Sequence, residues 1–293
     1  MFNECTSLAS ITIPDSVTSI GVGAFGGCSS LTSITVDTNN PNYASEGGIL
    51  YNKTKTTLLA YPSANGSVTI AEGVTEIDSD AFRGCTSLTS ITIPDSVTSS
   101  INYYMFEDCT GLTSITVDVN NPNYSSQDGI LYNKAKTSFV YIPRSISGAV
   151  TIPDSVTYID GFQDCTSLTS VTIAAGSIQP SAFSGCTSLI SVTIAEGVTS
   201  IEALAFSGCI SLTSVTIPAS VTSIQSAAFS NCTSLATITC LRTTPPSLSS
   251  YYYGEVFSNT HENLVIKVPS ASVTAYQTAS GWSSYASMIS AIQ

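Results

Sequence analysis

The chain has 293 residues, and its 8 Lys and Arg against 20 Asp and Glu give a net charge of −12. This length lies at the upper limit for one compact core, so the chain is either two ordinary domains or one elongated array. An acidic protein repels a phosphate backbone, which excludes a nucleic-acid-binding function. The hydrophobic content of 43% excludes an acidic disordered chain.

The N-terminal residues MFNECTSLASI contain neither the cationic stretch nor the apolar core of a signal peptide. No window approaches the ~18 uncharged apolar residues that a membrane span needs. We therefore expect no membrane insertion of this chain.

A phrase built on phenylalanine and cysteine, F-x-x-C-[TSI]-[SG]-L-x-[ST]-[IV]-T, recurs along the sequence. Most copies follow the preceding copy at a short and nearly constant interval, and two intervals are more than twice as long, which corresponds to two repeats plus an insertion. The short interval lies in the low twenties, a period typical of leucine-rich repeats. The copies begin at Phe2, Phe25, Phe82, Phe106, Phe162, Phe183, Phe206 and Phe229.

Each repeat predicts one half-buried strand followed by a turn. Leu31, Ile34 and Val36 alternate with hydroxyl-bearing residues, which is the period of a strand with one buried face. Pro14 ends the corresponding strand of the preceding repeat because proline cannot donate to a ladder, and Val17 then returns to the interior. One repeat cannot bury this face alone, so we expect stacked repeats with a continuous core.

The phrase L-x-S-I-T-I-P-x-S-V-T-S-I-x-x-x-A-F-x-x-C resembles the BspA-type (Treponema pallidum-type) leucine-rich repeat, found mainly in bacterial surface proteins and in some parasitic protozoa. Ala174 and Ala195 depart from this pattern where the family has proline, which puts the turns there in doubt. The resemblance covers almost the whole chain and rests on the cysteines, the Ala-Phe pairs and Pro14, Pro94, Pro153 and Pro218.

The resemblance implies a β-rich leucine-rich-repeat solenoid, that is, a curved right-handed β/α superhelix with a parallel sheet on the concave side and little helix. It also implies secretion or display at the cell surface and a role in adhesion or host-protein binding. We expect residues 1–240 to form the solenoid and residues 241–293 to form a C-terminal capping segment of the same domain. Phe2 already lies in mid-repeat, so we expect a longer parent protein that carries the signal and the anchor.

Two insertions, near 37–66 and 118–148, are copies of each other that align without a gap. Each predicts a β-hairpin, because two apolar runs flank a short polar turn. Four of the five lysines stand on these turns and would form two cationic tips on an acidic body. In the capping segment, Trp282, Tyr285, Ile289 and Ile292 fall at helical spacing and predict a helix.

The sequence contains no motif that indicates a catalytic or metal site. We therefore expect no enzyme activity, no catalytic residue, no cofactor and no metal. His261 is the single histidine, and the nine cysteines lack metal-ligand spacing. We interpret the cysteines as buried free thiols, with disulfides as the alternative. The Asn-Asn-Pro-Asn runs after Asp37 and Asp118 indicate turns, with an oxygen-ligand metal site as the alternative.

Recognition is expected where repeats depart from the pattern, because the repeated Ser and Thr of the strands offer few anchors for a ligand. The favoured function is a non-enzymatic cell-surface or secreted module that adheres to a host or partner protein. A carbohydrate-binding module and a structural spacer are the alternatives, and some candidate tyrosines could instead only pack the insertions. The candidate partner-binding residues are Lys53, Lys55, Lys134, Lys136, Tyr43, Tyr124, Tyr103, Tyr104, Tyr251, Tyr252 and Tyr253.

Overall fold

The computed structural model describes residues 2–62 and 64–293. These residues form about 12 turns of a mostly parallel β-solenoid with only 7% helix, which confirms the predicted leucine-rich-repeat solenoid. They cluster into two compact units. The first unit comprises the described residues up to Ala135 and the segment Phe139–Pro143, and the second comprises Lys136–Ser138 and Arg144–Gln293.

Turns of the solenoid bury apolar positions that alternate along their strands. Val215 and Ile217 are buried, whereas Ser214 and Thr216 beside them are exposed. Pro218 follows at once, and its missing N–H ends the ladder. The period-2 prediction is therefore confirmed at this turn.

The first unit combines parallel strands of the solenoid with antiparallel strands of the insertions. Its strands are β1 (Ser10–Ile13), β2 (Ser33–Val36), β3 (Tyr43–Glu46), β4 (Ile49–Asn52), β5 (Thr57–Ala60), β6 (Gly66–Thr69), β7 (Glu76–Ile77), β8 (Leu88–Ile93), β9 (Ser114–Val117), β10 (Tyr124–Gln127), β11 (Ile130–Asn133) and β12 (Phe139–Tyr141), with a 3₁₀ helix at Tyr103–Phe106. Strands β1 and β2 form one parallel sheet and β6, β8 and β9 form another.

The second unit contains one sheet in which the main path runs β13-β15-β16-β17-β19-β21-β22, all parallel. Its strands are β13 (Gly148–Ile152), β14 (Tyr158–Ile159), β15 (Leu168–Ile178), β16 (Ser191–Ile201), β17 (Ser214–Ile217), β18 (Ser223–Ile224), β19 (Thr237–Cys240), β20 (Ser247–Leu248), β21 (Val265–Val268) and β22 (Ile289–Ala291). Its helices are α1 (Val273–Thr278) and the 3₁₀ helices Ser270–Ser272 and Trp282–Met288.

Each insertion contributes three antiparallel strands, one more than the hairpin that the sequence predicts, and β7 extends the sheet of the first insertion by pairing in parallel with β5. The predicted hairpin is β4 with β5, and the equivalent pair in the second copy is β11 with β12. Strand β3 adds to the first hairpin, with Tyr43 opposite Asn52 and Glu46 opposite Ile49. Its sequence, Tyr-Ala-Ser-Glu, lacks the apolar alternation that reveals a strand, so the pattern does not predict it.

The insertions also end the parallel sheets of the first unit. The N–H of Ile34 donates to the carbonyl of Gly48 at 2.9 Å, and the N–H of Val36 donates to Oγ of Ser45 at 2.9 Å. These contacts occupy the free edge of β2. The second insertion repeats them on β9, from Ile115 N to Gly129 O and from Val117 N to Ser126 Oγ, both at 2.9 Å.

Strands β15 and β16 continue for 11 residues through the corner at which other strands end. This is where Ala174 and Ala195 replace proline in two adjacent turns, so backbone donors are present on both paired strands. Ala71 also replaces proline, but β6 ends before it, and Pro94 follows the strand β8 with which β6 pairs. The hydrogen-bond ladder between two strands therefore extends through the corner where both neighbouring turns lack proline.

Phenylalanines from successive turns stack inside the solenoid. The ring centroids of Phe183 and Phe206 lie 5.3 Å apart, with the planes at 4°. Three residues after Phe206, the thiol of Cys209 donates to the carbonyl of Phe183 at 3.2 Å, and both residues are fully buried. All nine cysteines have free thiols, and only Cys5 among them is not buried, in agreement with the buried-thiol interpretation.

Buried aromatic residues link distant parts of the C-terminal segment to each other. The indole N–H of Trp282 donates to the carbonyl of Pro246 at 2.7 Å, and the Tyr276 hydroxyl donates to the carbonyl of Arg242 at 2.8 Å. The predicted helix from Trp282 onward is wrong in its second half, because the 3₁₀ helix ends at Met288 and Ile289–Ala291 is β22. Pairing of β22 with β21 overrides the helical spacing there.

Candidate partner-binding surfaces

The lysines of the first insertion contact oxygen atoms of the chain itself. Lys53 Nζ donates to the carbonyl of Asn40 at 2.6 Å and to that of Thr38 at 3.3 Å. Lys55 Nζ lies 2.7 Å from Oε2 of Glu46, and this hydrogen bond lowers the pKa of the exposed Glu46 carboxyl. Both ammonium groups therefore already have acceptors.

The second insertion repeats part of this arrangement. Lys134 Nζ donates to the carbonyl of Val119 at 2.8 Å. The backbone carbonyl of Lys136 accepts a hydrogen bond from the Ser155 hydroxyl at 2.6 Å. A role for the four lysines in binding stays a prediction.

Tyr43 and Tyr124 fasten the insertions to the preceding solenoid turn. The N–H of Ile20 donates to the Tyr43 hydroxyl at 2.7 Å. The N–H of Ile101 donates to the Tyr124 hydroxyl at 2.9 Å, and that hydroxyl donates to the carbonyl of Ser99 at 2.8 Å. Tyr124 is only 9% exposed. A binding role for these two tyrosines also stays a prediction, and we leave them out of the proposed contact surface.

A buried asparagine that the sequence pattern does not single out holds each Asn-Asn-Pro-Asn turn. Asn40 donates through Nδ2 to the carbonyls of Pro14 at 2.7 Å and Val17 at 3.0 Å, and its Oδ1 accepts from the N–H groups of Asn42 and Tyr43. The second copy makes the same four bonds from Asn121, to Pro94, Val97, Asn123 and Tyr124. The turn interpretation is thus confirmed, and the signal for the buried residue is the identity of the run in both copies.

Tyr103 and Tyr104 form an exposed pair in the first unit. They lie at the start of the 3₁₀ helix that ends at the buried Phe106, and Asn102 caps this helix by accepting a hydrogen bond from the N–H of Met105. Their side chains are 49% and 61% exposed, and their rings meet edge to face with centroids 6.1 Å apart. The cap and the buried end of the helix hold this pair at the surface.

Tyr251, Tyr252 and Tyr253 form a second exposed group, in the second unit. Tyr251 and Tyr252 are 73% and 87% exposed, and their rings meet edge to face with centroids 4.5 Å apart. Tyr252 has a φ of 86°, a strained backbone conformation for a bulky residue. The carbonyl of Gly254 accepts the N–H of Ala227 at 3.2 Å, which ties the loop to the neighbouring turn.

Both tyrosine groups occupy the same turn of the repeat, the one that leads into the stacked phenylalanine. In the first unit the turn precedes Phe106, whose ring stacks on Phe82, and in the second it precedes Phe257, whose ring stacks on Phe229. We call this position the tyrosine turn. The sequence identifies its members one by one but not their shared position.

A small cavity of about 50 Å³ adjoins the tyrosine turn of the second unit. The oxygen-bearing side chains of Ser249, Ser284, Glu255 and Tyr285 contribute to its lining. The Tyr285 hydroxyl lies 3.5 Å from Oε2 of Glu255. Burial raises the pKa of Tyr285 to about 12, so this hydroxyl remains a neutral donor near pH 7.

The strand hydroxyls form aligned rows, as their repetition predicts. Thr172 pairs with Thr193, and Thr216 pairs with Thr239. Lys267 then takes the next place in the row beside Thr239. β-branched threonine suits a strand, and a row of near-identical small side chains lacks the aromatic anchors of a binding hot spot.

The described residues contain neither a metal-ligating cluster nor a membrane-spanning helix. Within residues 2–62 and 64–293, no three His, Cys, Asp or Glu side chains come together in a group that could hold a metal ion. His261 lies in a loop, where its Nδ1 accepts the N–H of Asn263 at 3.1 Å. No helix in the described parts of the chain has the length and apolar character to cross a membrane.

The family described as the BspA-type leucine-rich repeat region matches residues 1–63, 57–149 and 157–280, with six copies of its repeat. The chain belongs to the BspA-type leucine-rich-repeat family. Repeats of this family suggest a surface for protein interaction, and leucine-rich-repeat proteins are typically non-enzymatic.

Solved structures of bacterial leucine-rich-repeat proteins resemble the chain. A leucine-rich cell surface protein from Faecalibacterium prausnitzii has 26% sequence identity and a TM-score of 0.50 over 89% of this chain and 78% of that one. A leucine-rich repeat protein from Bacteroides ovatus has 19% identity and a TM-score of 0.53 over 99% and 85%. One from Eubacterium ventriosum has 28% identity and a TM-score of 0.46 over 85% of this BspA-type chain, which spans only 63% of that protein's length. No curated protein matches the chain.

Proposed function

We propose that this BspA-type chain is a non-enzymatic interaction module that binds a partner protein through its tyrosine turns. The observation that carries the proposal is the placement of Tyr103, Tyr104 and Tyr251–Tyr253 in one repeated turn with their rings exposed. Tyrosine provides a large contact area at low cost in conformational entropy, and it is enriched at binding surfaces. Each turn is a small patch, so a single contact is weak, and display of many copies would strengthen attachment by avidity.

We infer a location at the cell surface or outside the cell, and adhesion as the biological role. The membership of the BspA-type family and the likeness to a cell surface protein of Faecalibacterium prausnitzii support this location.

The lysine turns of the insertions are proposed as a second contact region. Burial of Trp282 and Tyr276 supports a further proposal, that residues 241–293 cap the last turn.

A parallel binding screen tests the proposal. The full chain is applied to an array of extracellular matrix and serum proteins and to a glycan array, beside a variant with Tyr104→Ser and Tyr252→Ser. Saturable binding to a protein that weakens at least fivefold in the variant supports the proposal. A control variant, Thr116→Ala with Thr216→Ala, changes two strand hydroxyls and should bind as the native chain does.

Carbohydrate binding is the second candidate, because exposed tyrosine rings also stack on sugar rings. Binding to the glycan array alone, lost in the tyrosine variant, would replace the protein partner by a glycan. Absence of binding on both arrays would favour a structural spacer and overturn the proposal.

A further inference from the structure

The loop that carries the tyrosine turn of the second unit lines a small cavity on both sides of its tyrosines, with Ser249 and Ser250 before them and Glu255 after them. Four more residues separate Leu248 from Phe257 than separate Ile224 from Phe229 in the preceding turn. The longer segment contains the three exposed tyrosines and Glu255, which lines the cavity.

The cavity offers acceptor oxygens that suit a small cation. Its described lining includes the Glu255 carboxylate and the hydroxyls of Ser249 and Ser284, and it includes no lysine or arginine. A volume of about 50 Å³ exceeds the roughly 10–15 Å³ that a cavity needs to hold one water molecule, so a small polar group can enter it. An ammonium group has three donors and no acceptor, which matches this lining.

The tyrosine rings on the same loop suit the same kind of group. Tyr251 and Tyr252 meet edge to face at 83°, so the corner between them presents both a ring face and a ring edge to solvent. The face of an aromatic ring attracts a cation, and an apolar stem can lie along the ring. The net charge of −12 draws cationic partners to the chain over a longer range.

We propose that Tyr251, Tyr252 and Glu255, which lie on one loop, bind a lysine side chain of a partner protein. The ammonium group enters the cavity and donates to the Glu255 carboxylate, and the aliphatic stem of the lysine lies on the tyrosine rings. This inference rests on the proposed function and specifies its partner, because it assigns a lysine-binding element to the tyrosine turn of the second unit.

Fluorescence anisotropy with a defined probe tests the site on the full chain. The probe is a fluorescein-labelled peptide of alternating glycine and lysine, and its matched control is the same peptide with every lysine acetylated. Glu255→Gln is compared with Glu262→Gln, an exposed loop carboxylate outside the cavity lining. Both variants remove one negative charge, so they change the overall field of the protein equally.

We expect the lysine peptide to bind and the acetylated peptide to bind at least tenfold more weakly. Glu255→Gln should weaken binding of the lysine peptide at least tenfold, Tyr252→Ser at least threefold, and Glu262→Gln less than twofold. Equal losses in the two Gln variants would show attraction to net charge alone and would overturn the site. Equal binding of the two peptides would overturn it as well.

The protein and glycan arrays separate failure of this site from failure of the proposed function. Absence of lysine-peptide binding together with tyrosine-dependent binding on the protein array overturns the lysine site and leaves the interaction module standing. Absence of both overturns the two proposals together. Circular dichroism of each variant establishes that a loss of binding is not a loss of fold.

Discussion

The ammonium group of Lys53 lies 2.6 Å from the carbonyl oxygen of Asn40, within the same insertion. The carbonyl of Thr38 is a second acceptor at 3.3 Å. The Asp-Thr-Asn-Asn run that suggests oxygen ligands for a metal therefore places two of its carbonyls around a cation that the chain itself supplies. A lysine in this position links the hairpin turn to the start of the insertion.

Replacing Lys53 by methionine should loosen the first insertion. The apolar stem remains, but two carbonyls lose a charged donor, and we expect a loss of about 1 kcal/mol in the free energy of unfolding because the site is open to water. Urea unfolding checks the value, and hydrogen exchange should show faster exchange around Asn40. Lys55→Met is the matched control, since Lys55 makes one exposed ion pair, and a loss equal to that of Lys53→Met would contradict the assignment.

Replacing Asn121 by alanine should be far more costly. Asn121 is fully buried, and its amide satisfies the carbonyls of Pro94 and Val97 together with two N–H groups. We expect a loss of about 3 kcal/mol, measured by urea unfolding, because buried polar groups are left without partners. Asn120→Ala, at the exposed neighbour, should cost less than about 0.5 kcal/mol. Similar costs for the two variants would rule out the buried asparagine as the anchor of the turn.

Replacing Gly129 by alanine should disturb the contact between the second insertion and β9. Gly129 has a φ of 81°, and an added Cβ would stand 3.1 Å from the carbonyl oxygen of Thr113. We expect a loss of about 2 kcal/mol in urea unfolding, from backbone strain and close approach.

Gly47→Asp provides a control with a precedent in the chain. Gly47 has a φ of 58° and open space around it, and Asp128 occupies the equivalent place in the second insertion with a φ of 51°. The free energy of unfolding should change by less than about 0.5 kcal/mol. If Gly47→Asp lowers the free energy of unfolding as much as Gly129→Ala does, the cost arises from the positive φ. The close approach of Gly129 to β9 would then not be its main cause.

The buried thiols predict a loss of stability at high pH. Burial raises the pKa of Cys232 and Cys240 to about 12, from an ordinary value of 9.0. The unfolded chain releases these protons first, so stability is intact below pH 9 and falls as the pH rises from 9 toward 12. Thermal unfolding at pH 7, 9, 10 and 11 measures the fall, to which buried Tyr285 contributes in the same direction.

Cys232→Ala should make the fall of stability between pH 9 and 11 shallower, although it lowers stability at pH 7 through lost packing. An unchanged pH dependence would contradict the raised thiol pKa. A thiol reagent gives an independent check. The buried thiols should not react in the native protein, and nine thiols should react after denaturation, so a smaller number would contradict the free cysteines of the structure.

The periodicity of the repeat predicts the solenoid because it is encoded in every turn. Val215 and Ile217 alternate with hydroxyls, Pro218 ends the strand, and a similar order of residues returns in turn after turn. Strands β15 and β16 are long because the proline is missing from both. This length could be predicted only by knowing that these two strands are neighbours in the sheet. Strand β3 is hidden in the sequence because its side chains are neither clearly apolar nor clearly alternating.

The sequence does not separate exposed candidate residues from structural ones as readily as it predicts the fold. Tyr43 and Tyr104 are both departures from the repeat, and only the tertiary structure shows that Ile20 donates to the hydroxyl of the first whereas the second is 61% exposed. The sequence predicts that the lysines are exposed at the hairpin tips. It does not show that Lys53 has acceptors, because the carbonyls that bind it lie 13 and 15 residues earlier in the chain. Contacts between a turn and a distant backbone leave no periodic signal in a sequence.

Tyrosine nitration of the native chain, mapped by mass spectrometry, tests the division of the tyrosines most directly. Tetranitromethane modifies accessible phenols, so we expect rapid nitration of Tyr104, Tyr251 and Tyr252 and protection of Tyr124 and Tyr132. The nitrated protein should also lose its binding on the protein array. Nitration of Tyr124 as fast as that of Tyr252, or protection of Tyr252, would contradict the claim that the tyrosine turns are the exposed contact surface.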